Sequence, residues 1–344
     1  MLRSLRVSCA VTAIALSVVG PGALTAAGDD GPRPPFPSDR PTRSILRPTE
    51  IASPAPKPSD KEIILLVSGI GSDAPDGTFD KLIEALSKDP RYEIHRFGGD
   101  PAYPYDTHGS VGANAERLTE EIRALGATHP SIHIVAHSMG GAVADAAFAN
   151  GLSARDKVVS YISLASPHNG SSGAATSQAW LPFAGLFGAG TEMRAISAGF
   201  AQDIGSRAVA DLAVVRAGPP PPGVVRLDLR MVTDLIVTAP DAWAPGVTRR
   251  TLLPTTIESL EGHGGVTTDP RAIALVTSTL AAGRPPELDP RARVLDFVAF
   301  IASSALVESN LHLYAGICAA AFCGAIALSL YRRRKSLLLL GWLP

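Results

Sequence analysis

The stretch 131–141, Ser-Ile-His-Ile-Val-Ala-His-Ser-Met-Gly-Gly, limits what this chain can fold into more than any other part of it. Ile132 to Val135 is a short, β-branched apolar run, the pattern of a strand buried on both faces. It stops at Ala136-His137-Ser138-Met139-Gly140, and a helix-compatible run, Ala142 to Ala149, follows at once. A strand, a sharp turn and a helix with a serine at the turn form the layout of a nucleophile elbow. In that layout a strained backbone holds the hydroxyl up, and small neighbours let strand and helix approach closely. The usual spelling is Gly-x-Ser-x-Gly. Here Ala136 stands at the first glycine, and only one extra methyl must fit.

With 344 residues, 46% hydrophobic and 18% charged, the chain has material for one large α/β core and appendages. A formal net charge of −1 gives no electrostatic basis for a nucleic-acid partner. The three cysteines, Cys9, Cys318 and Cys323, all lie in apolar segments near the ends. The domain between them therefore has no disulfide framework and no thiolate metal site.

Residues 1–27 read as a secretory signal peptide: Arg3 and Arg6, then an apolar core from Val7 to Val19, then small residues at Thr25-Ala26-Ala27. Residues 28–61 carry nine prolines and few large apolar side chains. Such a segment buries too little surface to offset its ordering entropy, so a disordered tether is expected. The folded domain is expected over 62–282. Strands are expected at Ile63–Val67, Tyr92–Phe97, Ile132–Val135, Lys157–Ala165, Val224–Met231 and Val247–Leu253. Helices at Phe79–Leu86, Ser110–Leu125 (stopped by Gly126) and Asp269–Leu280 alternate with them. Alternation of this kind gives a mostly parallel sheet with helices on both faces. It breaks down over 171–218, where Trp180, Leu181, Phe183 and Phe187 suit a cap or lid over an apolar pocket.

Residues 283–312 form a Pro/Arg linker and a short apolar helix, Val294 to Val307, too short to span a bilayer. Residues 313–331 are 19 in number, uncharged and apolar, and Arg332-Arg333-Arg334-Lys335 follows directly. This is the pattern of a transmembrane helix with a short cytoplasmic tail, 332–344, and the basic cluster would stay inside. The expectation is a single-pass protein of the cell membrane with its catalytic domain outside the cytoplasm.

A serine hydroxyl is nearly inert on its own and needs a base within hydrogen-bond reach, with a third group to orient that base. In this architecture the chain order is Ser, Asp, His. Asp234 follows a strand where a loop begins; Asp228, inside that strand, and Asp241, in a Pro-flanked loop, are less well placed. His263, between Gly262 and Gly264 beyond the last strand, is the expected base. His137 adjoins the nucleophile and cannot easily turn onto it, while His168 comes too early in the chain. By position, the backbone N–H groups of Met139 and Ile70 suit an oxyanion hole.

These motifs resemble those of bacterial lipases and esterases of the α/β-hydrolase superfamily. The residues that carry the likeness are Val-Ser-Gly-Ile-Gly-Ser (67–72), Val-Ala-His-Ser-Met-Gly-Gly (135–141), Ala-Ser-Pro-His-Asn-Gly-Ser (165–171), Thr-Asp-Leu-Ile-Val (233–237) and Gly-His-Gly-Gly (262–265). The resemblance covers roughly 62–282. It implies a Ser-His-Asp mechanism on an acyl-ester or lipid substrate, with no metal and no organic cofactor. The usual Asp-x-x-Val-Pro around the acid is here Asp-Leu-Ile-Val-Thr. An acyltransferase, thioesterase or amidase would keep the same triad. An idle hydrolase fold serving as an interaction module is the rival from another class.

Overall fold

The computed structural model describes residues 58–72, 77–171, 205–234 and 244–287, with single positions or short runs at 174, 236–238, 241–242, 294, 297–298 and 301. The expected signal peptide, nearly all of the tether, most of the 171–218 cap and the 313–331 segment lie outside these residues. Among the described residues no helix is long and apolar enough to cross a membrane.

Six strands form one sheet: β1 (Glu62–Val67), β2 (Tyr92–Arg96), β3 (Ile132–His137), β4 (Val158–Leu164), β5 (Val225–Met231) and β6 (Thr248–Leu252). Their order is β2-β1-β3-β4-β5-β6, and every neighbouring pair is parallel. Among the described residues the α-helices are α1 (Asp80–Leu86), α2 (Val111–Thr128), α3 (Met139–Ala149), α4 (Arg207–Leu212) and α5 (Pro270–Ala282). β1 is a continuous apolar run because both of its faces are covered. Ile63, Leu65 and Val67 pack with Val111, Ala115, Leu118 and Ile122 of α2 and with the small residues of α3. Ile64 and Leu66 face the other way, into a core with Phe79, Leu82 and Leu86 from the α1 region and Val276 and Leu280 of α5.

α2 does not stop at Gly126, as its sequence suggests, but runs on to Thr128. Gly126 is buried, and a Cβ there would stand 3.3 Å from the Asp156 carbonyl oxygen. The glycine serves a close approach to the turn before β4, so it does not act as a helix stop.

Strand order reverses next to β1: β2 lies on one side of it and β3 to β6 follow on the other. In open parallel sheets, the carboxyl ends of the strands at such a switch point form a crevice in which ligands bind. The register Val67↔Ala136 brings the turn after β1 beside the turn after β3. Both expected site elements, the 69–71 turn and the elbow, therefore meet at this crevice.

Candidate active site

Ser138 links β3 to α3 with φ 54° and ψ −127°. A non-glycine residue at positive φ costs about 1–3 kcal/mol and persists only where its surroundings enforce it. Two close contacts enforce it here. A Cβ on Gly140 would lie 2.3 Å from the Val67 carbonyl oxygen, so α3 can seat against β1 only if that position lacks a side chain. A Cβ on Gly69 would lie 2.9 Å from the Ser138 Cβ, which places the turn after β1 directly against the serine. Ile70 is the next residue in that turn. Met139 is the first residue of α3, where backbone N–H groups have no carbonyl a turn earlier in the helix to accept them. The two expected oxyanion donors thus lie in the two turns that flank the Ser138 hydroxyl.

The Ser138 Oγ is 2.9 Å from His263 Nε2, and His263 Nδ1 is 3.1 Å from Asp234 Oδ2. The three residues, from three separate loops, form one hydrogen-bonded chain. Asp234 is fully buried. Its Oδ1 accepts the backbone N–H groups of Ile236 (2.9 Å) and Val237 (3.0 Å), which leaves Oδ2 for the imidazole. Arg230 Nη2 donates to the carbonyls of Asp234 and Val237, both at 3.2 Å, and so ties the same loop to β5.

Burial works against the charged carboxylate of Asp234. The adjoining His263 imidazole, its hydrogen bond, the Arg230 guanidinium and the Val237 N–H outweigh this and hold the pKa below the usual aspartate value. Burial likewise works against a charged His263. The Asp234 carboxylate and its hydrogen bond prevail there too, and the pKa lies above the usual histidine value. Such a pair can orient an imidazole, take a proton from a neighbouring hydroxyl and stabilise the imidazolium that results.

The other aspartates and histidines considered from sequence lie elsewhere. Asp228 Oδ1 accepts the Ser163 hydroxyl at 2.7 Å and Arg226 Nε at 3.2 Å. Asp241 Oδ2 lies 3.4 Å from the Thr238 N–H, within its own loop. His168 is buried behind the elbow, with Nδ1 2.5 Å from Asp145 Oδ2 and Nε2 2.7 Å from Ser163 Oγ. This second Ser-His-Asp grouping has its hydroxyl hydrogen directed at Asp228, so the serine is not poised for the imidazole. A cavity of about 590 Å³ passes it, lined also by Arg230, Arg249 and Thr251, but the lining does not include Ser138.

Sequence reasoning overlooked Tyr105. Its partly buried phenol donates to the Ser68 carbonyl at 2.8 Å and pins the turn that carries Ile70. No spacing rule links two residues 37 positions apart on unrelated loops.

A family profile described as a PGAP1-like alpha/beta domain matches residues 116–180, from mid-α2 through the elbow to the loop after β4. A search of curated proteins finds no match. Among solved structures, lipase B of Aspergillus fumigatus is 16% identical with a TM-score of 0.43, and the alignment covers 72% of this chain and 61% of the lipase. The RedJ thioesterase of the Streptomyces coelicolor prodiginine pathway is 17% identical (TM-score 0.42; 71% of this chain, 100% of that one). An esterase of Thermogutta terrifontis is 15% identical (TM-score 0.41; 66% and 92%). The chain thus spans about three-fifths of the Aspergillus lipase. The parallel sheet with its switch point, the serine elbow between β3 and α3 and the matched segment together give this chain an α/β-hydrolase fold.

Proposed function

We propose that the chain is a serine hydrolase of acyl esters that works through an acyl-enzyme. The observation that carries this reading is the continuous hydrogen-bonded chain Ser138 Oγ–His263 Nε2 and His263 Nδ1–Asp234 Oδ2, at 2.9 and 3.1 Å. His263 takes the hydroxyl proton as Ser138 Oγ bonds to the ester carbonyl carbon. The carbonyl oxygen becomes an oxyanion facing the N–H groups of Ile70 and Met139. As the C–O bond to the alcohol breaks, the imidazolium returns the proton to the leaving oxygen. Water, deprotonated by the same imidazole, then adds to the acyl carbon, and Ser138 leaves with its proton restored. Asp234 stays ionised throughout and holds the ring in the required tautomer.

The test is labelling of the detergent-purified chain with a fluorophosphonate, followed by turnover of p-nitrophenyl esters of increasing acyl length. If 171–218 closes an apolar cap over the site, kcat/KM should rise about fourfold per methylene over the first few carbons, since each buried methylene contributes about 0.8 kcal/mol. A flat response from acetate upward rules out such a cap. Cleavage of thioesters or amides in preference to every ester overturns the ester assignment.

The same proposal places the hydrolase domain outside the cytoplasm, held by a membrane helix at 313–331. A helix of 19 residues is about 28 Å long, close to the roughly 30 Å hydrocarbon core, and the basic cluster at 332–335 favours an inward end. Further support comes from Val294, Phe297, Val298 and Ile301, which recur at one-face helical spacing ahead of that segment and are each at least half exposed. With tags near Asp60 and after Pro344, protease added to intact spheroplasts should remove the first tag and spare the second. The reverse pattern would move the site and its substrate to the cytoplasm.

A further inference from the structure

We infer that His137, the residue before the nucleophile, is a positioning residue that fixes the backbone of the catalytic base; this rests on the hydrolase reading above. His137 closes β3 and is buried. Its ring meets Phe79 edge-on, with centroids 6.5 Å apart, and lies 5.0 Å from the His263 ring. Its Nε2 is 3.1 Å from the His263 carbonyl oxygen. A carbonyl oxygen can only accept, so the His137 ring carries its hydrogen on Nε2 and donates.

Residues outside its own turn hold His263 at three atoms. Ser138 meets Nε2 and Asp234 meets Nδ1, and these two bonds set the ring. Neither fixes where the main chain of His263 sits. That main chain lies between Gly262, at φ 81°, and Gly264. Glycines on both sides give the backbone freedom that the ring contacts alone do not remove. Within its own turn the His263 N–H donates to the Glu261 carbonyl at 3.1 Å, and the His137 N–H adds the bond that ties this main chain to the elbow itself. Adjacent residues of one strand end, 137 and 138, thereby grip the backbone and the ring of a residue more than 120 positions away. A shift of the base by about 1 Å can cost on the order of a hundredfold in rate, so a bond that prevents the shift has kinetic weight.

The test compares two variants of the full chain. His137→Leu keeps apolar volume and removes the donor. His137→Gln keeps an amide N–H at about the reach of Nε2. The leucine variant should lose about ten- to a hundredfold in kcat and in fluorophosphonate labelling rate with KM little changed, and glutamine should recover most of that loss. Equal loss in both variants, or loss in neither, overturns the inference. A measurement on the unaltered protein covers the case in which the variants fold poorly. Nitrogen-15 spectra of ring-labelled histidine must show His137 as the Nε2–H tautomer; the Nδ1–H tautomer overturns the proposal. If the unaltered chain takes no fluorophosphonate label, the hydrolase reading fails and this one fails with it. A labelled chain whose His137 variants do not separate overturns this one alone.

Discussion

Replacing Ser138 with alanine is expected to lower ester turnover about a million-fold, to the residual level supplied by the oxyanion donors and substrate binding. Fluorophosphonate labelling should vanish with it. The fold should survive, because the contacts that hold the elbow belong to Gly69, Gly140 and the strand ends, and the Ser138 Cβ that meets Gly69 is kept. The far-ultraviolet circular dichroism and the melting temperature of the variant check that point. Among the described residues, two other serines have neighbours of the right kind to confuse the result: Ser160, 2.7 Å from His133 Nδ1 with Glu62 2.9 Å from the other ring nitrogen, and Ser163. Ser163 lies 2.7 Å from His168 Nε2, and His168 lies 2.5 Å from Asp145. The cavity of about 590 Å³ reaches Ser163, but the serine hydroxyl donates to Asp228 at 2.7 Å, so its proton is not directed at the imidazole that would have to take it. Label retained in Ser138→Ala and mapped to Ser163 would show that this argument about proton direction is wrong.

The parts of the fold legible in the sequence are those whose physics is local. β1 and β3 read as strands because burial on both faces demands unbroken apolar runs, and the elbow read as a turn because a strand signal gives way to a helix signal within a few residues. The site residues Ser138, Asp234 and His263 could be singled out because chain order and loop position restrict the choices. What could not be read is what depends on partners brought together by the sheet. β5 alternates as Val-Arg-Leu-Asp-Leu-Arg-Met, a pattern that resembles a half-exposed strand, yet Arg226, Asp228 and Arg230 are all buried. They are accommodated by Asp145 from α3, Ser163 from β4, His168 from the next loop and the carbonyls around Asp234. No interval along the chain encodes such a set. The same holds for His137, which the sequence marked only as unfit to be the base. Its place against the His263 carbonyl depends on two loops meeting above the sheet.

The acid rests on the least regular motif of the site, which makes Asp234→Asn the more informative of the two large-effect substitutions. The variant is expected to lose roughly four orders of magnitude in kcat, since an amide can orient the ring in the wrong tautomer and cannot balance the imidazolium. The loss should also carry a pH signature. Catalysis needs His263 neutral at the start of the cycle, so kcat/KM should rise with pH through the pKa of the free enzyme's His263. Asp234 holds that pKa above the ordinary histidine value of 6.5, and the rising limb of the native enzyme should therefore lie on the alkaline side of 6.5. Asparagine removes the charge that favours the imidazolium. The burial that opposes it remains, so the limb of Asp234→Asn should shift to lower pH even as its plateau falls. The two effects separate a true acid from a residue that only shapes the loop, because a loop defect lowers the plateau and leaves the limb in place. Asp241→Asn supplies the comparison: its carboxylate faces Thr238 in its own loop, and neither its plateau nor its limb should change by more than a few-fold. If Asp241→Asn instead moves the limb and Asp234→Asn costs less than about tenfold, the acid is Asp241, and the Asp234 carboxylate beside His263 Nδ1 only orders the loop.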